Sequence, residues 1–183
     1  MKKYTLDSTD TLHIGPKVLT RIRGAKGSEF EGMVGGYLEN EQNLSHDGQA
    51  WVADLSRVWG EARVYGDAQI RGHAQIFGRA QVFGQSLVEG KAQVFGDAQV
   101  FGRARVCDYA QVGDFAWVCG FAEIQDYARV LENSQVFARA ILCDTETLRG
   151  EERRDGGAKM RSLLGYRLPR EILRRSRLSR IPG

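Results

Sequence analysis

Of the side chains that serve as general base, nucleophile or metal ligand, His and Cys are few here: three His and three Cys. His13 and His46 lie near the N-terminus, and His73 stands alone between Gly72 and Ala74. A catalytic His needs a pocket and an orienting partner, and the sequence neighbours of His73 supply neither. Cys107, Cys119 and Cys143 are an odd number with no close-spaced pair, so free thiols are expected, without a disulfide framework or a zinc knuckle. The other chemical concentration is guanidinium. Residues 149–183 carry 11 Lys/Arg against 4 Asp/Glu, whereas residues 1–148 carry 15 against 19. Pro169 can open a short helix that puts Arg170, Arg174 and Arg177 on one face, with Arg175 beside them. Clustered Arg suits phosphate or carboxylate. The stretch after Pro169 has no aromatic interleaving, which speaks against a sequence-specific reader of nucleic acid.

These groups must be positioned by something, and the composition shows what. The 183 residues fit one domain, but 22 Gly against 3 Pro is lopsided. No run approaches the roughly 18 apolar residues of a membrane span, and the first residues are polar where a signal peptide would be apolar. A soluble, cytoplasmic protein with no membrane contact is expected.

The glycines belong to a six-residue period. From Val52 to Leu142 an aliphatic residue recurs at every sixth position, sixteen times without a break. Two positions before each stands Ala or Ser, from Ala50 to Ala140. Two positions after each stands Gly nine times and Asp five times, with only Glu132 and Ala138 departing. Small and branched residues at spacing two make a short strand with one inward face. Gly and Asp readily adopt positive φ, so each hexad ends in a corner. A helix is disfavoured, because six does not follow 3.6 and each interior Gly would cost about 1 kcal/mol. A strand and a corner every six residues describe a solenoid.

The aliphatic-x-x-x-small-x pattern resembles the hexapeptide-repeat family, whose units wind into a left-handed parallel β-helix of triangular section with three hexads per coil. The leader, Leu19–Arg23 with Gly35–Glu41 and Asn43–Gly48, resembles a narrower group within it, the YdcK-like proteins of bacteria and phages. The expected fold is therefore all-β: an N-terminal cap over residues 1–49, a β-helix of about five coils over 50–144, and a basic, helical tail over 145–183. Tyr4, Leu6, Ile14, Val18 and Leu19 are the apolar groups available to the cap. The wider family includes acyl-CoA-dependent acyltransferases, which use a His near a cleft between subunits, often with a loop projecting from the prism. This repeat has no projecting loop, and His73 would be the residue for that role. The family's zinc-dependent carbonic anhydrases need three His at a subunit boundary, a set that one His in sixteen hexads does not provide. No cofactor or metal is expected.

Residues eighteen apart stack on such a prism. The position after each aliphatic gives one outward column of Trp59, Phe77, Phe95, Gly113 and Leu131, and a second of Tyr65, Phe83, Phe101, Cys119 and Phe137. The third is mostly polar: Ala53, Arg71, Glu89, Cys107, Gln125, Cys143. Later aromatics move to corners, at Tyr109, Phe115, Phe121 and Tyr127, with Trp117 near them, as an end-plate under the tail or a ligand groove. Ladder stacking stabilises coils by itself, and contiguous exposed aromatics also mark binding faces. The expected function is a non-catalytic interaction or scaffold module, phage- or prophage-associated as the resemblance implies. It would bind a host or partner protein through the ladders, Phe115, Phe121 and the basic tail, and assemble as a trimer or dimer. Acyl transfer and weak nucleic-acid binding through the tail are the alternatives.

Overall fold

The computed structural model describes residues 2–156. Arg170, Arg174, Arg175, Arg177 and the helix expected after Pro169 lie outside the described residues. The described chain is a parallel β-solenoid with three strands per turn, preceded by an antiparallel hairpin. Strands β1 (Tyr4–Ile14) and β2 (Lys17–Gly24) form the hairpin, and β2 pairs with β3 (Val34–Leu38), which enters the solenoid. Then come eighteen two-residue strands, from β4 (Trp51–Val52) to β21 (Arg153–Arg154). Each pairs in register with the strand eighteen residues on, as Arg57 does with Gln75 and Val58 with Ile76. Three sheets result, one to each side of a prism.

The six-residue rule works through the interior and the corners. Every aliphatic from Val52 to Leu142 is buried, and so is every Ala or Ser from Ala50 to Ala140. The buried hydroxyls of Ser86 and Ser134 donate to the carbonyls of Phe83 and Leu131, which satisfies them within their own hexads. At the corners φ is positive at every sixth residue from Gly48 to Gly150, including the five Asp and the two departures, Glu132 (60°) and Ala138 (59°). Asp earns its place there by chemistry that Gly lacks. The Asp54 carboxylate accepts from the N–H of Gly72 (2.8 Å), Asp114 from that of Glu132 (3.0 Å) and Asp126 from that of Asp144 (3.0 Å), each one coil further on.

The solenoid is longer at both ends than the uninterrupted period indicates: it makes about 7 turns rather than five. Upstream, Leu38 pairs with Val58 and Leu44 bridges to Val64, so these two residues are the first aliphatic positions. They are six apart, but Val52 follows Leu44 by eight, and those two extra residues hide the register. Downstream, β20 (Thr147–Leu148) and β21 continue the pairing past the expected boundary at Asp144. Charged residues take three of the repeat positions of that last coil that are apolar or small elsewhere, while Leu148 stays buried. Glu146 and Glu152 stand where earlier coils have Ala, and Arg154 stands where they have Val, with its guanidinium 3.8 Å from Glu146. These three charged residues are exposed, and charge at such positions ends a stack of apolar layers without leaving a greasy surface.

The opposite end is closed by the cap. Tyr4, Leu19 and Ile22 are fully buried, Phe30 stacks on Trp51 at 4.8 Å, and Val18, expected among the capping groups, is 44% exposed. Two buried polar side chains take over the donors that a preceding coil would have provided. Lys3 Nζ donates to the Ala50 carbonyl (2.7 Å), and Asn43 Nδ2 to those of Gly60 (3.0 Å) and Ala62 (2.9 Å). Burial pulls the Lys3 ammonium below its ordinary pKa, against the raising effect of Asp47, Glu29 and Asp67. Asn43→Leu keeps the volume and orphans both carbonyls. It should cost about 1–3 kcal/mol, read as a lower denaturation midpoint with an unchanged slope, and an unchanged midpoint would show that water can serve them.

Candidate interaction surface

Among the described residues no group of His, Cys, Asp or Glu is arranged to hold a metal ion, and no helix is long and apolar enough to cross a membrane. His73 is exposed on one edge of the prism, in a column with Leu55 below it and Lys91 above, and among the described residues no carboxylate hydrogen-bonds its ring. His13 is exposed in the hairpin. His46 is half-buried in the cap, stacked on Tyr4 at 4.4 Å, and its Nδ1 accepts from the Lys3 backbone N–H (3.2 Å). Burial holds its pKa below the ordinary value. The three histidines therefore occupy three separate places.

The cysteines are free and spread over two of the prism's sides. Burial, reinforced by the neighbouring Asp108 carboxylate, pushes the Cys107 thiol up to about 12, and burial alone pushes Cys119 to about 11. A raised thiol pKa means less thiolate at any pH below it, and thiolate is the reactive form. At pH 8 a thiol reagent should modify Cys119 roughly a hundredfold, and Cys107 roughly a thousandfold, more slowly in the native protein than in denaturant. Equal rates would mean that these sides of the prism open readily.

The ladders form as stacks of near-parallel rings. Trp59 lies on Phe77 (4.7 Å, 6°) and Phe77 on Phe95 (5.4 Å, 12°). On the next side Tyr65 lies on Phe83 (4.8 Å, 3°) and Phe83 on Phe101 (5.0 Å, 4°). The first ladder ends at Gly113, where an added Cβ would sit 2.2 Å from the Phe95 ring; the ring fills the space that a side chain would need. All six rings, and Phe137 above the second ladder, are half-buried. Within each ladder the facing sides of neighbouring rings are spent on one another. Beside the ladders run outward Gln columns that reasoning from the aromatics alone missed, such as Gln75, Gln93 and Gln111 in register on neighbouring strands.

Compared with known proteins, the chain matches no family model and no curated sequence. Its surfaces must therefore be judged by their own chemistry.

The corner aromatics are the more exposed set: Tyr109 45%, Phe115 58%, Phe121 51% and Tyr127 59%. They form neither an end-plate nor one groove. Two further turns of strands lie beyond Tyr109, and the four residues sit on three different edges of the prism. Tyr109 and Tyr127 share an edge and stack at 5.0 Å, with the Lys91 ammonium 5.0 Å from the Tyr109 ring. Phe115 occupies the second edge, between Asp97 and Asn133 in its column. Phe121 occupies the third, where the guanidinium carbons of Arg103 and Arg139 lie 5.6 and 5.8 Å from its ring centroid. Trp117 is a half-buried strand residue on the side that carries the second ladder.

Proposed function

We propose that this chain is a non-catalytic interaction or scaffold module. It is a left-handed hexapeptide-repeat β-helix of the YdcK-like kind that works in the cytoplasm and binds a host or partner protein, with self-association as a trimer or dimer. The observation that carries this reading is the girdle of Tyr109, Phe115, Phe121 and Tyr127, each about half exposed on a backbone closed on both sides by paired coils. Nothing in the fold requires rings at these corners, since the equivalent positions elsewhere hold residues as different as Leu55, Glu61, Asp67, His73, Gln85 and Lys91. Leaving them in water forgoes burial worth about 1.5–3 kcal/mol per side chain, and aromatic anchors commonly dominate interface energies. The ladders serve this function as stiffeners that hold the edges in register, and their ring edges add contact area.

Two double variants separate these roles. Phe115→Ser with Tyr127→Ser should reduce the mass measured by light scattering, or remove proteins that co-purify, while the melting temperature stays within a few degrees. Phe77→Ser with Phe95→Ser should lower the melting temperature instead. An unchanged mass and unchanged co-purification in the first variant would sink the reading.

A further inference from the structure

The third edge of the prism carries charge that the fold leaves unanswered. Among the described residues one corner Arg sits one coil below an acid, and the two pair: Arg79 Nη2 meets Asp97 at 2.6 Å across eighteen residues. Arg103 has the same geometry, but the residue one coil on is Phe121, and one coil beyond that is Arg139. Both guanidiniums lie over the ring, and because they come from the coils on either side they cover its opposite faces. Arg103 Nε donates to Gln85 Oε1 (2.8 Å), which orients the group and leaves its terminal nitrogens unused. Among the described residues no carboxylate lies within ion-pair distance of Arg103 or Arg139, although Arg21, Arg23, Arg105 and Arg154 all have one. Both side chains are exposed, and Ile141, 55% exposed, stands next to Arg139 on the adjoining side.

We propose that the Arg103–Phe121–Arg139 edge binds an acidic segment of a partner protein, with two carboxylates straddling an apolar side chain. The inference rests on the interaction reading above and names its partner's chemistry. The guanidiniums are two coils apart, roughly 9–10 Å, and stacking on Phe121 holds each planar fork ready for bidentate contact with a carboxylate. The exposed rim of the ring between them, with Ile141 alongside, takes the apolar residue. A nucleic acid fits less well. Bases stack on ring faces, and both faces of Phe121 are occupied. The described residues also carry 18 Lys/Arg against 22 Asp/Glu, a net repulsion for a polyanion.

The test uses the full chain and a fluorescent copolymer of glutamate and tyrosine, with polyglutamate and polydeoxythymidine as comparison probes. Arg103→Ala with Arg139→Ala should weaken copolymer binding roughly tenfold or more. Arg71→Ala with Arg129→Ala, which removes two charges that have no ion pair among the described residues, should leave it within about twofold. Phe121→Ala should weaken the copolymer more than polyglutamate. Equal losses in the two Arg pairs would reduce the effect to diffuse charge and overturn the proposal. Tighter binding of polydeoxythymidine that depends on Arg103 and Arg139 would also overturn it. A chain whose mass and co-purifying proteins depend on Phe115 and Tyr127, but whose copolymer binding ignores Arg103 and Arg139, would remove this inference and leave the interaction reading standing.

Discussion

Gly84→Val is expected to lower the melting temperature by on the order of 10 °C. Gly84 has φ of +71°, and a Cβ there would lie 2.9 Å from the backbone nitrogen of Gly102 and 3.0 Å from its oxygen. A left-handed conformation costs an ordinary L-residue about 1–2 kcal/mol, and more for a β-branched one. The contact adds to that, because the obstacle is backbone, held in place by the Gln85 N–H on the Gly102 carbonyl and by the Arg103 N–H on that of Gly120. Relief requires the two coils to separate. Gly84→Asp is the informative control. Asp already occupies this corner at five positions and reaches the next coil's N–H from three of them with good geometry. Aspartate at residue 84 should recover much of the loss by accepting from Gly102. Equal damage by Val and Asp would mean that the corner carboxylates contribute nothing beyond tolerance of positive φ.

Ala98→Leu should be nearly as damaging. Ala98 is fully buried and sits in a column with Ala80 and Ala116, one coil away on either side. The interior of a three-sided prism has no neighbouring layer into which extra carbons can be displaced. Overpacking of this kind typically costs about 1–3 kcal/mol, and the upper end is expected here. Gln99→Leu, one residue on, changes a half-buried outward side chain and should move stability by about 0.5 kcal/mol or less. Similar melting points for the two variants would show that the inward register has been misassigned.

The strands, the corners and both ladders were legible because each repeats one requirement: a small and a branched residue inside, a residue tolerant of positive φ outside. Even the non-glycine corners at Glu132 and Ala138 obey the period. The ends were not legible, since there the sequence departs from the repeat. Two extra residues shift Leu38 and Leu44 out of phase, and Glu146, Glu152 and Arg154 put charge at positions that define the pattern by being apolar. The cap depends on Lys3 and Asn43, whose partners lie 47 and 19 residues away, and nothing in the sequence marks them. The Arg103–Phe121–Arg139 stack could have been found. It lies at the same eighteen-residue spacing as the ladders, but in a corner column, where residues eighteen apart stack as they do along the strands.

The pairing of each residue with the one eighteen further on makes the fold sensitive to length in an unusual way. Removing six residues from the middle leaves every local hexad intact, with strands and corners still in phase. It also turns the remainder of the prism by one side. The rings that should rest on Phe77 and Phe83 would then meet a different column, and Arg103, Phe121 and Arg139 would be divided between two edges if the cut fell among them. Removing or duplicating eighteen shortens or lengthens the prism by one coil, about 4.8 Å, and leaves every column continuous. The surface is thus read in a frame of eighteen laid over a backbone that reads in sixes, so drift by whole turns preserves the binding edges and drift by single hexads scrambles them.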